Sequence, residues 1–240
     1  MRLLFCMALL LVSGWAYGAD KPFEMSYPYL NTFDYFGPGQ IEIQQGKENK
    51  FIFKAPKQIR DMFQFKYSDG SLSVSPKRFH DLSEIPDVPH VILIVSNLQK
   101  LVLEGDNYVD IDYLKTDNFM VDIKLNGSTV LEGTVEAERF AISIAGSSQA
   151  TIRGGSRFQS VMVNGPGLYD GKDFETMNTN VRLIGPSSCL VNVKDELSVS
   201  IQGYGHVHYY GSPKIHKSVK GEGVVSPLTK EIIQQFEEKK

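Results

Sequence analysis

The stretch SIQGYGHVHYYG, residues 200–211, sets His206 and His208 two residues apart among Tyr204, Tyr209 and Tyr210. Two imidazoles at i and i+2 on a strand share a face and could chelate a metal, but a specific site needs a third or fourth ligand and groups that orient them. His216, the nearest further histidine, falls on another side of the repeat described below, so no metal site is expected. The same residues make better sense as a contact surface. Ring faces and hydrogen-bonding tips concentrate in Tyr204, His206, His208 and Tyr210, all expected to point outward, and protonation near pH ~6.5 would add charge there. The competing reading has Tyr204 filling a turn and Tyr210 packing on a C-terminal helix.

The richest acidic cluster is Glu104, Asp106, Asp110, Asp112, Asp117 and Asp122. Asp110 and Asp112 share the outward face of one strand, a geometry that suits a hard cation such as calcium. An enzyme cutting acidic polysaccharides needs acids and bases converging in a cleft. Lysines and arginines do not cluster nearby and the short repeat leaves no room for a long loop, so a solvated acidic face is expected and no catalytic residue is assigned. Cys189 occupies an inward position and reads as an inert small hydrophobe. Neither a phosphate-cradling loop nor a dinucleotide fingerprint occurs, and no cofactor is expected.

The element that must position these residues is a repeat. An aliphatic residue stands two before a glycine at Leu103/Gly105, Leu125/Gly127, Ile144/Gly146, Val163/Gly165, Leu183/Gly185, Ile201/Gly203 and Val219/Gly221, with glycine spacings of 22, 19, 19, 20, 18 and 18. Four before the glycines stand Leu101, Ile123, Ile142, Val161, Val181, Val199 and Lys217; four after them stand Val109, Leu131, Ala150, Tyr169, Cys189, Val207 and Val225. Period-two alternation on both sides of each glycine marks two strands with one buried face. A unit of about 19 residues without a helical stripe is too short for a propeller blade and suits one coil of a β-solenoid. An antiparallel sandwich is the alternative. The expected fold is all-β: a right-handed parallel β-helix with irregular N-terminal strands and a short C-terminal capping helix. Ile142 and Val199 should face the core, and Thr151 should face out.

The chain divides into a signal sequence at 1–19, N-terminal strands and irregular first coils at 20–95, regular coils at 96–225 and a capping helix at 226–240. MRLLFCMALLLVSGWAYGA has one basic residue, a short apolar run and small residues near its end, which is a secretory signal rather than a membrane span. Its removal takes Arg2 and shifts the formal charge from −3 to −4, with no basic footprint for nucleic acid. It also takes Cys6, leaving Cys189 without an intramolecular partner, and Trp15, the single tryptophan and the commonest platform for a sugar ring. Ser68-Asp69-Gly70-Ser71 should join two strands, and the proline-rich stretch SEIPDVPH should be an exposed loop. In SPLTKEIIQQFEEKK, Ser226 is the expected N-cap and Pro227 the first helical residue, with Leu228, Ile232, Ile233 and Phe236 on one stripe covering the last coil.

The stretches GQIEIQQGKENKFIFKAP, YSDGSLSVSP, VILIVSNLQKLVLEGDNYVDI and LSVSIQGYGHVHYYGSPKIHKSVKGEGVV, in that order, resemble the bacterial auto-transporter adhesin, head GIN domain family from Phe33 to Val225. Proline at Gly165-Pro166-Gly167 and Gly185-Pro186-Ser187 departs from the family's Ser-Gly turns. The resemblance implies a parallel β-helix in an exported or envelope protein and carries no catalytic residues. The expected function is a non-catalytic exported module, periplasmic or on the cell surface, presenting a rigid surface to an envelope protein or a glycan. The alternative is a polysaccharide-acting β-helix enzyme.

Overall fold

Alternating apolar residues cannot bury themselves within one coil, and the chain solves this by stacking coils in register. The structure, a computed structural model, describes residues 21–78 and 87–237. In chain order it contains β1 (Phe23–Tyr27), β2 (Thr32–Phe36), β3 (Gly39–Gln45), β4 (Asn49–Lys54), α1 (Lys57–Arg60), β5 (Phe63–Ser68), β6 (Ser71–Pro76), β7 (His90–Val95) and β8 (Lys100–Glu104). There follow β9 (Asn107–Ile123), β10 (Thr129–Ala145), β11 (Gln149–Asn164), β12 (Leu168–Ile184), β13 (Ser188–Gln202), β14 (His206–Tyr210), β15 (Lys214–Lys220), β16 (Val224–Pro227) and α2 (Lys230–Glu237). The result is a β-solenoid of about 6 turns with a short C-terminal helix.

Strands β9 to β13 each make most of one coil and pair in parallel with the next. The register places Val109, Leu131, Ala150, Tyr169, Cys189, Val207 and Val225 in one inward column, as the glycine spacing predicts. Along β9 the buried positions run 107, 109, 111, then 114, 116, then 119, 121, 123. Two inward residues three apart cannot both lie on a flat strand, so each such step is a bend, and β12 bends likewise between 171 and 174 and between 176 and 179. Each coil therefore has three short sides, called A, B and C from its glycine corner onward; the sequence shows only A and C.

The 22-residue glycine interval has a cause. Ile123 pairs with Ile144, and Val121 with Ile142. Leu125, expected inward, lies in a longer corner and is 69% exposed. Gly127 takes φ 107°, and a side chain there would overlap the backbone of Gly105 beneath it, so this corner requires glycine.

The N-terminal strands include one regular coil. β2 and β3 make a regular coil that pairs with β8 and β9 on one side and with β6 and β7 on the other. Residues 32–45 are thus inserted between coils made by later segments, out of chain order. Beyond them β4 pairs antiparallel with β7, β1 with β4, and β5 with β6 through the predicted turn, where Asp69 and Gly70 both take positive φ. Phe23, Phe33, Phe51, Phe53, Phe63 and Phe65 pack ring against ring and close this end.

At the other end the helix starts later than expected. Ser226 and Pro227 belong to β16, paired with β14, and the Leu228 amide donates to the Tyr209 carbonyl. Strand pairing occupies the backbone that a cap at Ser226 would need, and Thr229 Oγ1 accepts from the Ile232 amide instead, at 3.4 Å. Ile232 and Ile233 of the helix are half-buried, and β15 stays exposed apart from Ile215. Lys214, Lys217 and Lys220 stud this edge strand and oppose pairing with another chain. The expected signal sequence at 1–19 and residues 83–86 of the proline-rich loop lie outside the described residues; Asp87 and Val88 of that loop are exposed.

Ile142 is 3% exposed in the inward column, whereas Ser143 beside it faces out. Ile142→Ala should lower unfolding stability by about 2–4 kcal/mol, from lost burial and a cavity. Ser143→Ala should stay within about 0.5 kcal/mol of the parent in the same denaturant titration.

Candidate functional site

The four expected contact residues sit at the C-terminal end of side A. Tyr204 stands at a corner tip between Gly203 and Gly205 and is 61% exposed, and Tyr210 is 58% exposed. Val207 faces the core, and His206 is exposed beside it. His208 departs from the expectation: it is buried, with Nδ1 2.9 Å from Ser226 Oγ on the next strand and its ring stacked 6.2 Å from that of His206. Alternation shows which way a side chain points and not what covers it. The same column buries Thr151, Asp170 and Leu190, so Thr151, expected to face out, is covered. Asp170 is held by Lys172 at 2.9 Å. The exposed surface is therefore Tyr204, His206 and Tyr210, with His208 beneath.

His216 is on β15, on side C, with Nε2 3.4 Å from Glu196 Oε1. Among the described residues no group of three or more His, Cys, Asp or Glu is placed to hold a metal ion. Cys189 is fully buried, and burial raises its thiol well above the ordinary range.

The acidic cluster read from the sequence is divided by the bends. Glu104 accepts from Asn126 Nδ2 at 2.8 Å, Asp106 accepts the Ser128 amide at 2.8 Å, and Asp122 is paired with Lys124. Asp110 stacks in register with Glu42 below and Glu132 above, and His90 Nε2 lies 2.9 Å from Glu42 Oε1. Partial burial, then the nearby Asp112, Glu132 and Glu42, raise the Asp110 carboxyl above its usual range, against the pull of Arg153.

Two grooves have no counterpart in the sequence reading. The first, about 910 Å³, crosses side B between Lys115, Asp117, Glu136, Glu138 and Glu175, over a floor at Ala137, Gly154 and Gly155. Its charges are largely paired: Lys115 with Glu136 at 3.2 Å, Arg157 with Glu138 at 3.6 Å and Lys194 with Glu175 at 2.5 Å. Gly154 has φ 108° and any side chain there would overlap the Val135 carbonyl, so the floor cannot be filled. The Gly154-Gly155 pair was the one sequence signal for it. The second groove, about 360 Å³, lies on side C between Met120, Arg139, Ala141 and Phe158, and is mostly apolar.

These features define a parallel β-solenoid whose sides carry open grooves. The family described as "Putative auto-transporter adhesin, head GIN domain" matches residues 31–213, and the chain belongs to it. Its fold is similar to that of a putative adhesin from Bacteroides fragilis NCTC 9343, with TM-score 0.74 and 19% identity over 87% of this chain and 97% of that one. It is also similar to a putative adhesin from Parabacteroides distasonis ATCC 8503, with TM-score 0.67 and 15% identity over 86% and 96% of the two chains. A third solved structure, described as a putative lipid binding protein from the same species, has TM-score 0.62 and 17% identity over 88% and 98%. No curated protein matches. Among the described residues no helix is long and apolar enough to cross a membrane.

Burial, and then the neighbouring His206, hold the His208 imidazole below the usual histidine range. The unfolded chain therefore takes up a proton at a pH where the folded one does not, and stability falls as pH drops below about 6.5. The melting temperature should decrease from pH 7.5 to 5.5, and His208→Gln should make that decrease smaller. An unchanged pH slope in the variant would show that His208 is not the group responsible.

Proposed function

We propose that the protein is a non-catalytic, exported, adhesin-like module that presents the sides of its solenoid to an envelope protein or a glycan. The observation that carries this reading is the form of the surface: in-register columns on a continuous core, with Tyr204, His206 and Tyr210 exposed together at one end. Aromatic rings with polar tips supply contact area at low entropic cost. Membership of the family described as "Putative auto-transporter adhesin, head GIN domain" supports it. The enzyme alternative finds less support, since the carboxylates of Glu104–Asp122 are spread over several sides: Glu104, Asp106 and Asp122 have local partners, and Asp110 has carboxylate neighbours.

A second reading, binding of a small amphiphile, is favoured by the apolar groove on side C, a kind of surface that adhesion alone does not call for.

The first reading is tested by screening the purified chain against purified glycans and envelope proteins. A saturable partner is expected, with binding weakened about tenfold or more when Tyr204 and Tyr210 are both changed to Ser, and with no glycan depolymerised. Depolymerisation of a uronic-acid polymer that is lost in the Asp110→Ala, Asp112→Ala double variant would contradict it.

A further inference from the structure

The side C groove runs along one strand. Arg139, Ala141 and Ser143 follow one another outward on β10, and their paired neighbours on β9 are Asn118, Met120 and Asp122. On β11 the corresponding neighbours are Phe158, Ser160 and Met162. Small residues at Ala141, Ser143 and Ser160 form a floor, and Met120 on one side with Phe158 and Met162 on the other make it a trough. A second hollow of about 320 Å³, lined by Met120, Ala141, Ser143, Ser160 and Met162, continues the first. Each is within the usual size of a small-ligand pocket, about 300–1,000 Å³. The flanking strands are about 9.6 Å apart, twice the strand spacing, so Met120 on one wall and Phe158 and Met162 on the other leave room for a single chain. From Arg139 to Ser143 the trough is about 13 Å long. Met120 is 49% exposed and Met162 40%, an unusual pair to leave facing solvent on one side.

The charges at the two ends differ. The Arg139 guanidinium lies 5.4 Å from the centre of the Phe158 ring, on which Arg157 also lies at 5.2 Å. Arg157 is paired with Glu138, whereas Arg139 has no carboxylate within 4.0 Å among the described residues. At the far end stands Asp122, paired with Lys124. An anionic head is therefore attracted to the Arg139 end, whereas the Asp122–Lys124 pair at the other end is neutral and offers it nothing, which sets the direction of a bound chain.

Resting on the second reading above, we propose that this trough binds a single-chain carboxylate amphiphile, a fatty acid. Its alkyl chain lies over Ala141 and Ser143 between Met120 and Met162, and its carboxylate pairs with Arg139. The flexible methionines adapt to the chain, and the Phe158 ring holds the guanidinium in place.

The test is calorimetric titration of the purified chain with dodecanoate and, separately, with dodecanol, both below their aggregation concentrations. Saturable binding of one dodecanoate per chain is expected. Arg139→Gln should weaken dodecanoate about tenfold or more and dodecanol by less than about threefold. Ala141→Leu, which fills the floor, should abolish both, and Ser160→Leu should do the same, each with a melting temperature near that of the parent. Equal effects of Arg139→Gln on the two ligands would overturn the head-group assignment and leave the amphiphile reading standing. Binding of neither ligand, or binding that survives both floor-filling variants, would overturn the assignment and the reading together.

Discussion

Everything in this molecule depends on successive coils pairing in parallel and in register. A slip of one residue would send every inward side chain of a coil to the surface, so the column of Val109, Leu131, Ala150, Tyr169, Cys189 and Val207 and the backbone ladder enforce each other. The same register writes the surface. A groove appears wherever one coil carries small residues and its neighbours carry long ones: Gly155 between Glu136 and Glu175 on side B, Ala141 beside Met120 on side C. The grooves are therefore properties of columns, and no single coil contains one.

The two ends follow from the same constraint, because a stack in register has an edge at each end. The N-terminal edge is closed by a change of pairing, with β4, β1 and β5 running antiparallel and a packed group of phenylalanines beneath them. At the C-terminal edge the exposed strand β15 is made unattractive by its lysines. The inserted coil β2–β3 has partners on both faces that come later in the chain, so its pairing waits for them to fold.

The inward columns could be read from the sequence because a glycine marks each corner and gives an origin for counting. The count failed where the corner itself lengthens, at Leu125, since a longer corner moves the origin without disturbing the strands. It also failed for His208 and Thr151, whose cover comes from neighbours in adjacent positions and coils and has no local signature. Ser226 and Pro227 carry a sound helix-start pattern, yet the offer of a pairing partner in β14 outweighs it. The insertion of β2–β3 could not be read at all, because alternation identifies a strand and not its partner. Neither groove was visible for the same reason: each is made by residues about 20 positions apart that register alone brings together.

That register can be measured directly with cysteine pairs on side C, where Cys189 is too buried to interfere. Ser143 pairs with Met162 on the next strand, while Ser160 stands two residues away from that partner. A disulfide needs Cα atoms closer than about 7 Å, so Ser143→Cys with Met162→Cys should oxidise readily. Ser143→Cys with Ser160→Cys, a diagonal pair about 7–8 Å apart, should remain free and open to thiol labelling. Oxidation of the diagonal pair in preference to the direct one would mean that the coils are stacked in a different register, and the columns, the core and both grooves described above would fall with it.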